Sequence, residues 1–132
     1  MAVKDLMIEG VETAGPDTSV EALAMRLEEA RIGSIVIEED MKPVGMVTDR
    51  DLAVRVVGRG RPPSEVTAED VMSTDVSVVS EDDGLMDVTA MMREDSVRRL
   101  PVVNDEGTIV GIITFDDLIR IIVTELSDLA SV

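Results

Sequence analysis

The sequence has 132 residues, a length that suits one domain or two small modules sharing a core. It carries 28 Asp and Glu against 12 Lys and Arg, a formal charge of −16, and has no Cys, His, Trp or Tyr and a single Phe, Phe115. Without Cys, disulfides, thiol nucleophiles and zinc–thiolate sites are excluded; without His, the commonest metal ligand and acid–base group are missing and no Ser-His-Asp triad is possible; and a strongly acidic chain without stacking aromatics is a poor candidate for nucleic acid.

The hydrophobic fraction is 45%, an ordinary globular value, so the chain is expected to fold around an aliphatic core in which nine Met fill part of the volume aromatics would take. No apolar run approaches the ~20 residues of a membrane span. Met1–Gly10 lacks the apolar centre of a signal peptide. A cytoplasmic protein with no membrane partner is expected.

In chain order, an extended stretch near Val11 precedes a helix. Thr18-x-x-Glu21 forms a capping box, and Val20, Leu23, Ala24, Leu27 and Ala30 follow at helical spacing. Ile35–Ile37 and Val44–Val47 are short, continuous apolar strands, expected where both faces are covered. Asp51–Val57 forms a second helix. Gly58-Arg-Gly-Arg-Pro-Pro-Ser64 carries the Gly and Pro of a connector. The same order then recurs: an extended stretch near Val76, a helix capped at Asp83 with Leu85, Val88, Met91 and Met92, strands at Leu100–Val103 and Ile109–Ile113, and a helix from Asp117 to about Leu129.

The recurrence is an internal repeat. Val44-Gly-Met-Val-Thr-Asp-Arg-Asp-Leu52 matches Val110-Gly-Ile-Ile-Thr-Phe-Asp-Asp-Leu118, and Asp5-Leu-Met7 matches Asp70-Val-Met72. The offset changes by one residue between Glu38–Lys42 and Asn104–Gly107, both polar and turn-like. The domains are therefore drawn as 1–60 and 67–132 with a linker at 61–66. A unit of about 60 residues buries little alone, so the two copies are expected to pack sheet to sheet, with pseudo-two-fold symmetry and equivalent clefts.

The motif Gly45-Met-Val-Thr48-Asp-Arg-Asp51, repeated as Gly111-Ile-Ile-Thr114-Phe-Asp-Asp117, places Thr at a strand end and Asp three residues on, at a helix start. Thr-x-x-Asp is in itself a helix cap, worth roughly 1 kcal/mol without any function. The same corner presents free N–H groups to a phosphate, a Thr hydroxyl that can donate to it, and a carboxylate that can accept both hydroxyls of a ribose. Built twice at equivalent positions, it suits a ribonucleotide better than an inorganic anion.

Together with Val97-Arg-Arg-Leu-Pro-Val-Val103 and the Asp-x-Met pairs, these motifs resemble a tandem pair of CBS domains (cystathionine-beta-synthase-type regulatory modules, or Bateman module) over essentially the whole chain. The resemblance implies an α+β fold of two β-α-β-β-α units packed through their sheets, frequent association of two chains, and binding of AMP, ADP, ATP, NAD or S-adenosylmethionine. Asp51 and Asp117 match the ribose-binding acid, Thr48 and Thr114 the hydroxyl beside the phosphate, and Met46 and Ile112 the residues flanking the base. The family's clefts also draw on the other unit: Val11 to Thr13, Ile32 and Ser34 for the Thr114/Asp117 cleft, and Val76 to Val78, Val97 and Arg99 for the Thr48/Asp51 cleft.

The two clefts differ. The residue before the acid is Arg50 in one motif and Asp116 in the other. Arg offers a phosphate a bidentate fork, whereas Asp116 beside Asp117 repels an anion. Arg98 and Arg99 fall where the family places basic residues facing phosphate, or else pair with the acidic surface. A phosphorylated nucleotide is thus expected at Thr48/Asp51 and a weakly held, uncharged or cationic adenosine at Thr114/Asp117. No catalytic residue, metal site or required cofactor is expected. The function expected is a non-catalytic AMP-, ADP- or ATP-type sensor, a homodimer acting on a separate partner. The alternatives are a structural CBS protein with empty clefts and a binder of NAD or S-adenosylmethionine. The apolar stretch Leu118–Val123 is either shared core or a dimer interface. Residues 1–66 hold 13 acids and 8 bases, −5, and residues 67–132 hold 15 and 4, −11. With only two Lys, this balance resembles proteins of salt-loving organisms, or an ordinary acidic protein kept soluble by charge.

Overall fold

A computed structural model describes residues 1–132. The chain is mixed α+β, with two three-stranded sheets and six α-helices. It divides into two compact units, residues 12–76 and residues 1–11 together with 77–132.

In the 12–76 unit, β1 (Thr13–Ala14) runs parallel to β2 (Ser34–Glu39), which pairs antiparallel with β3 (Lys42–Thr48). Because side chains alternate along a strand, Ile35, Ile37 and Val47 face one side. There they form the core with Val20, Leu23 and Leu27 of α2 (Val20–Ala30), and with Val66, Ala68 and Val71. Ser34, Met46 and Thr48 lie on the opposite face. The β2–β3 hairpin turns on Asp40 and Met41, both at positive φ (52° and 63°), the geometry of a two-residue type I′ turn. Helix α3 (Asp49–Arg55), a 3-10 turn over Val57–Arg59, and α4 (Ala68–Val71) complete the unit.

In the other unit, β4 (Val79–Ser80), β5 (Arg99–Val103) and β6 (Ile109–Thr114) repeat the same order and register. Leu100, Val102 and Ile113 form the core with Val88 and Met92 of α5 (Leu85–Asp95), Leu118 of α6 (Phe115–Ala130), and Val3 and Leu6 of α1 (Val3–Leu6). The β5–β6 loop is longer than its counterpart. The Asn104 side chain accepts from the Glu106 and Thr108 N–H groups at 3.0 Å, and Gly107 takes a positive φ of 79°. The one-residue change in repeat offset sits in this loop.

The compact units do not coincide with the sequence repeats. Each repeat's opening segment packs in the other compact unit: 1–11 goes with the second repeat and 66–76 with the first. Part of the 61–66 linker is likewise core, since Val66 is 3% exposed and its carbonyl accepts from the Val20 N–H at 2.8 Å. After each Asp-x-Met pair the chain bridges a motif strand. Ser73 exchanges two hydrogen bonds with Met46 at 3.0 Å, and Ile8 exchanges two with Ile112 at 2.9 Å.

These bridges explain the motif glycines. Met72 lies over Gly45 so closely that a Cβ there would overlap its Sδ. A Cβ on Gly111 would come within 2.6 Å of Met7 Sδ and 3.0 Å of the Ile8 carbonyl oxygen. The repeated Gly and the repeated Met are two halves of one packing contact.

The helix caps fall one residue later than the sequence suggests. The N-cap of α2 is Ser19, whose hydroxyl accepts from the Ala22 N–H at 3.1 Å, in place of Thr18. For α5 it is Gly84 in place of Asp83. The Asp87 carboxylate reaches back to the Gly84 N–H at 2.9 Å, while Asp83 accepts from Ser80 N–H. Both α2 and α5 end on a left-handed residue that is not glycine, Arg31 (φ 54°) and Ser96 (φ 54°). Glycine relieves the Cβ strain of that geometry. Arg31→Gly and Ser96→Gly should each stabilise the protein by about 0.5–1 kcal/mol in denaturant titration. A lower midpoint for both would show that these side chains hold the caps themselves.

Candidate functional site

The end of each motif strand turns directly into a helix, and the turn is built by Thr and Asp. In the 12–76 unit, Thr48 Oγ1 accepts from the Asp51 N–H at 3.1 Å and Asp51 Oδ2 accepts from the Thr48 N–H at 2.9 Å. This reciprocal capping box fixes the Asp51 side chain, which is only 14% exposed. Its second oxygen, Oδ1, has one charged neighbour, Arg55 Nε at 3.8 Å, and the Arg55 guanidinium donates to the Val71 carbonyl at 2.7 Å.

Ser34 is the register partner of Thr48, so the two side chains share a sheet face. Ser34 is 7% exposed, and its hydroxyl is buried without a hydrogen-bond partner. Buried hydroxyls are rarely left unpaired. Met46 lies two residues before Thr48 on the same face. Arg50, exposed on the first turn of α3, makes no ion pair, and Asp49 donates its N–H to the Gly33 carbonyl at 3.0 Å.

The corner at Thr114 has the same backbone and a different electrostatic state. The Asp117 N–H donates to Thr114 Oγ1 at 3.1 Å, and the Thr114 hydroxyl donates to Asp117 Oδ2 at 2.6 Å. Asp117 Oδ1 is taken by Arg120 at 3.0 Å. Asp117 is 15% exposed, as shielded as Asp51, yet both its oxygens are engaged. The residue opposite Thr114 is the half-buried Arg99, where the first corner has Ser34. Ile112 occupies the position of Met46.

Arg98 and Asp116 pair with each other at 3.0 Å, both largely exposed, and the Arg98 guanidinium sits 4.4 Å from the centre of the Phe115 ring. The Phe115 N–H donates to the Arg98 carbonyl at 2.8 Å, which seats this stack at the helix start. Arg98 is thus already neutralised by the acid that was expected to repel anions, and Val97 and Arg98 line a cavity between α5 and α6. Of the remaining candidates, Thr13 pairs with Val36 in β1–β2, Ile32 packs on the 12–76 core, and Val78 leads into β4.

Asp70 repeats the capping chemistry at α4. The Thr67 N–H donates to it at 2.9 Å and the Thr67 hydroxyl at 3.1 Å. These bonds favour the ionised form and hold the Asp70 carboxyl below the usual range. The acid of the Asp-x-Met pair is therefore a cap, and the Met after it packs on the motif glycine. No helix is long and apolar enough to cross a membrane.

A family model described as the CBS domain matches residues 3–58 and 68–124. The chain is 36% identical over 122 residues to an uncharacterized protein of Methanopyrus kandleri, with 92% of the chain aligned, and it spans 62% of that relative's length. It is 33% identical over 117 residues to a CBS domain-containing protein of Bacillus subtilis, covering 89% of this chain and 82% of the relative. The crystal structure of a CBS domain pair in complex with 5′-methylthioadenosine and S-adenosyl-L-methionine matches with a TM-score of 0.84 at 27% identity, covering 95% of this chain and 98% of the other.

Proposed function

The chain belongs to the CBS-domain family, and from that membership we propose that it is a regulatory module that binds an AMP-, ADP- or ATP-type ligand without turnover. The observation that carries this reading is the Thr-x-x-Asp corner, built twice, with a shielded carboxylate at a helix start each time. A similar domain pair carries two adenosine-containing ligands, which supports the ligand class. The carboxylate accepts the ribose hydroxyls, while the Thr48 hydroxyl and the unpaired Arg50 guanidinium meet the phosphate, since the first N–H groups of α3 are already bonded to Gly33, Asp49 and Thr48. Catalysis is not proposed: the chain lacks His and Cys, and the motif carboxylates are committed to capping and ribose recognition. The bound state acts through a separate protein, in the cytoplasm, from a homodimer.

The two corners have unequal readiness. Asp51 Oδ1 faces one distant guanidinium and Arg50 is unpaired, so a phosphorylated ribose displaces nothing strong. At Asp117 the ribose competes with Arg120, and Asp116 adds a negative charge that Arg98 offsets. Asp51→Ala should weaken AMP binding about 10–100-fold by calorimetry, the scale of lost hydrogen bonds to a charged group. Asp117→Ala should change it less than about 3-fold. Equal losses would sink the asymmetry.

A thermal-shift series with AMP, ADP, ATP, NAD and S-adenosylmethionine tests the reading as a whole. A ligand at about 100 times its Kd stabilises by about 2.7 kcal/mol. No shift with any of them at millimolar concentration would favour a structural, dimerising protein with empty sites. A shift with S-adenosylmethionine alone would move the ligand class toward that of the solved relative.

A further inference from the structure

Arg55 stands where the repeat places a core residue. Leu52 matches Leu118, so Arg55 matches Ile121, which packs on the core of its own unit. In α3 the same position carries a guanidinium, and the side chain is 38% exposed. Drawing a charged group in from water is costly unless it gains partners. Arg55 has two. Its Nη1 donates to the Val71 carbonyl at the end of α4, at 2.7 Å, and its Nε lies 3.8 Å from Asp51 Oδ1. The fold does not require the first of these. Helix α1, the equivalent of α4, ends at Leu6 with no arginine at that carbonyl.

The contact with Asp51 differs in kind from its counterpart at the other corner. Arg120 donates to Asp117 Oδ1 at 3.0 Å, so that acceptor is occupied, and the Arg120 guanidinium has no backbone anchor. Arg55 stays beyond hydrogen-bond reach of Asp51 Oδ1 while its other arm is tied to the backbone. A guanidinium is a rigid planar fork, so tying one nitrogen to the Val71 carbonyl fixes where the others sit. On its other side the Asp51 carboxylate is held through Oδ2, which accepts from the Thr48 N–H at 2.9 Å. It is thus set from two directions, and Oδ1 keeps its lone pairs open.

We propose that Arg55 is a positioning residue for the ribose acid of the Thr48/Asp51 corner. Tethered to the Val71 carbonyl, it orients Asp51 and offsets its charge without closing on Oδ1, the atom left for the ribose hydroxyls. This rests on the nucleotide binding proposed above. Calorimetry with AMP, ADP and ATP tests it, on proteins shown to be folded by circular dichroism. Arg55→Met keeps the aliphatic stem and should weaken binding about 5–10-fold, a part of the loss expected of Asp51→Ala. In the Asp51→Ala background the same change should cost less than about 2-fold, since Arg55 acts through that carboxylate. Equal costs in the two backgrounds would mean that Arg55 acts independently of Asp51, and would overturn the proposal. Arg55→Lys keeps both charge and stem, so it carries the test should the methionine variant not fold. It should still bind at least about 3-fold more weakly than the wild type, because one ammonium cannot hold both groups in place. Wild-type affinity in either single variant would overturn the positioning role and leave nucleotide binding standing. A wild type that binds none of the three nucleotides would overturn both.

Discussion

Replacing Val3 with aspartate should cost the protein about 3 kcal/mol or more, and the damage should appear some 75–110 residues away in sequence. Val3 is fully buried, packed with Val79, Val88, Leu100, Val102 and Ile113, and its N–H is held by the Asp83 carbonyl at 2.8 Å. A carboxylate there has no partner, and an unpaired buried charge is among the few single changes of this size. Hydrogen exchange locates the effect. Amides of β5 and β6 should lose protection before those of β2 and β3, although Val3 belongs by sequence to the first repeat. Loss of protection in β2 and β3 first would contradict the grouping of residues 1–11 with 77–132.

Gly111→Val should be similarly severe, about 3 kcal/mol in denaturant titration, and it should resist rescue. Two kinds of atom crowd the space a side chain would enter, the Met7 thioether and the Ile8 carbonyl oxygen. A thioether can swing away, but a carbonyl oxygen in a two-bond bridge to Ile112 cannot move without breaking it. Met7→Ala therefore restores only part of the loss. At Gly45 the nearest atoms all belong to the Met72 side chain, so Gly45→Ala combined with Met72→Ala should return close to the stability of Met72→Ala alone. A Gly111→Val protein as stable as the wild type would remove this account of the motif glycine.

The motif corners were legible in the sequence because their chemistry is local. Thr and Asp three residues apart at a strand end cap a helix whatever surrounds them, and the repeat doubles the signal. The β2–β3 and β5–β6 hairpins and helices α2 and α5 follow from apolar spacing. Strands β1 and β4 were legible only as extended stretches near Val11 and Val76. Helices α3 and α6 begin two residues before the expected Asp51 and Asp117, because the capping Thr, not the Asp, is the helix boundary. The four-residue helices α1 and α4 were not legible, since so short a segment shows no helical period. The shift of the α2 cap from Thr18 to Ser19 is a choice between adjacent hydroxyls that composition does not weigh. The Arg98–Asp116 pair joins residues 18 apart, one before β5 and one after β6, and only the hairpin register brings them together. Least legible was the destination of the opening segments. The two copies carry the same apolar spacing, so either sheet could have received Val3 and Leu6.

That destination has a consequence for how the chain reaches its native state. Residues 12–76 form one contiguous stretch and can close on local contacts as soon as they are made. The other unit must join residue 11 to residue 77 across the whole of that stretch. Loop closure grows costly only slowly with length, so stability suffers little, but long-range pairing slows folding. During synthesis the 12–76 unit would finish first, while α1 waits for strands not yet made. Until then Val3 and Leu6 stand uncovered on a tethered leader, the moment at which the chain is most open to wrong partners.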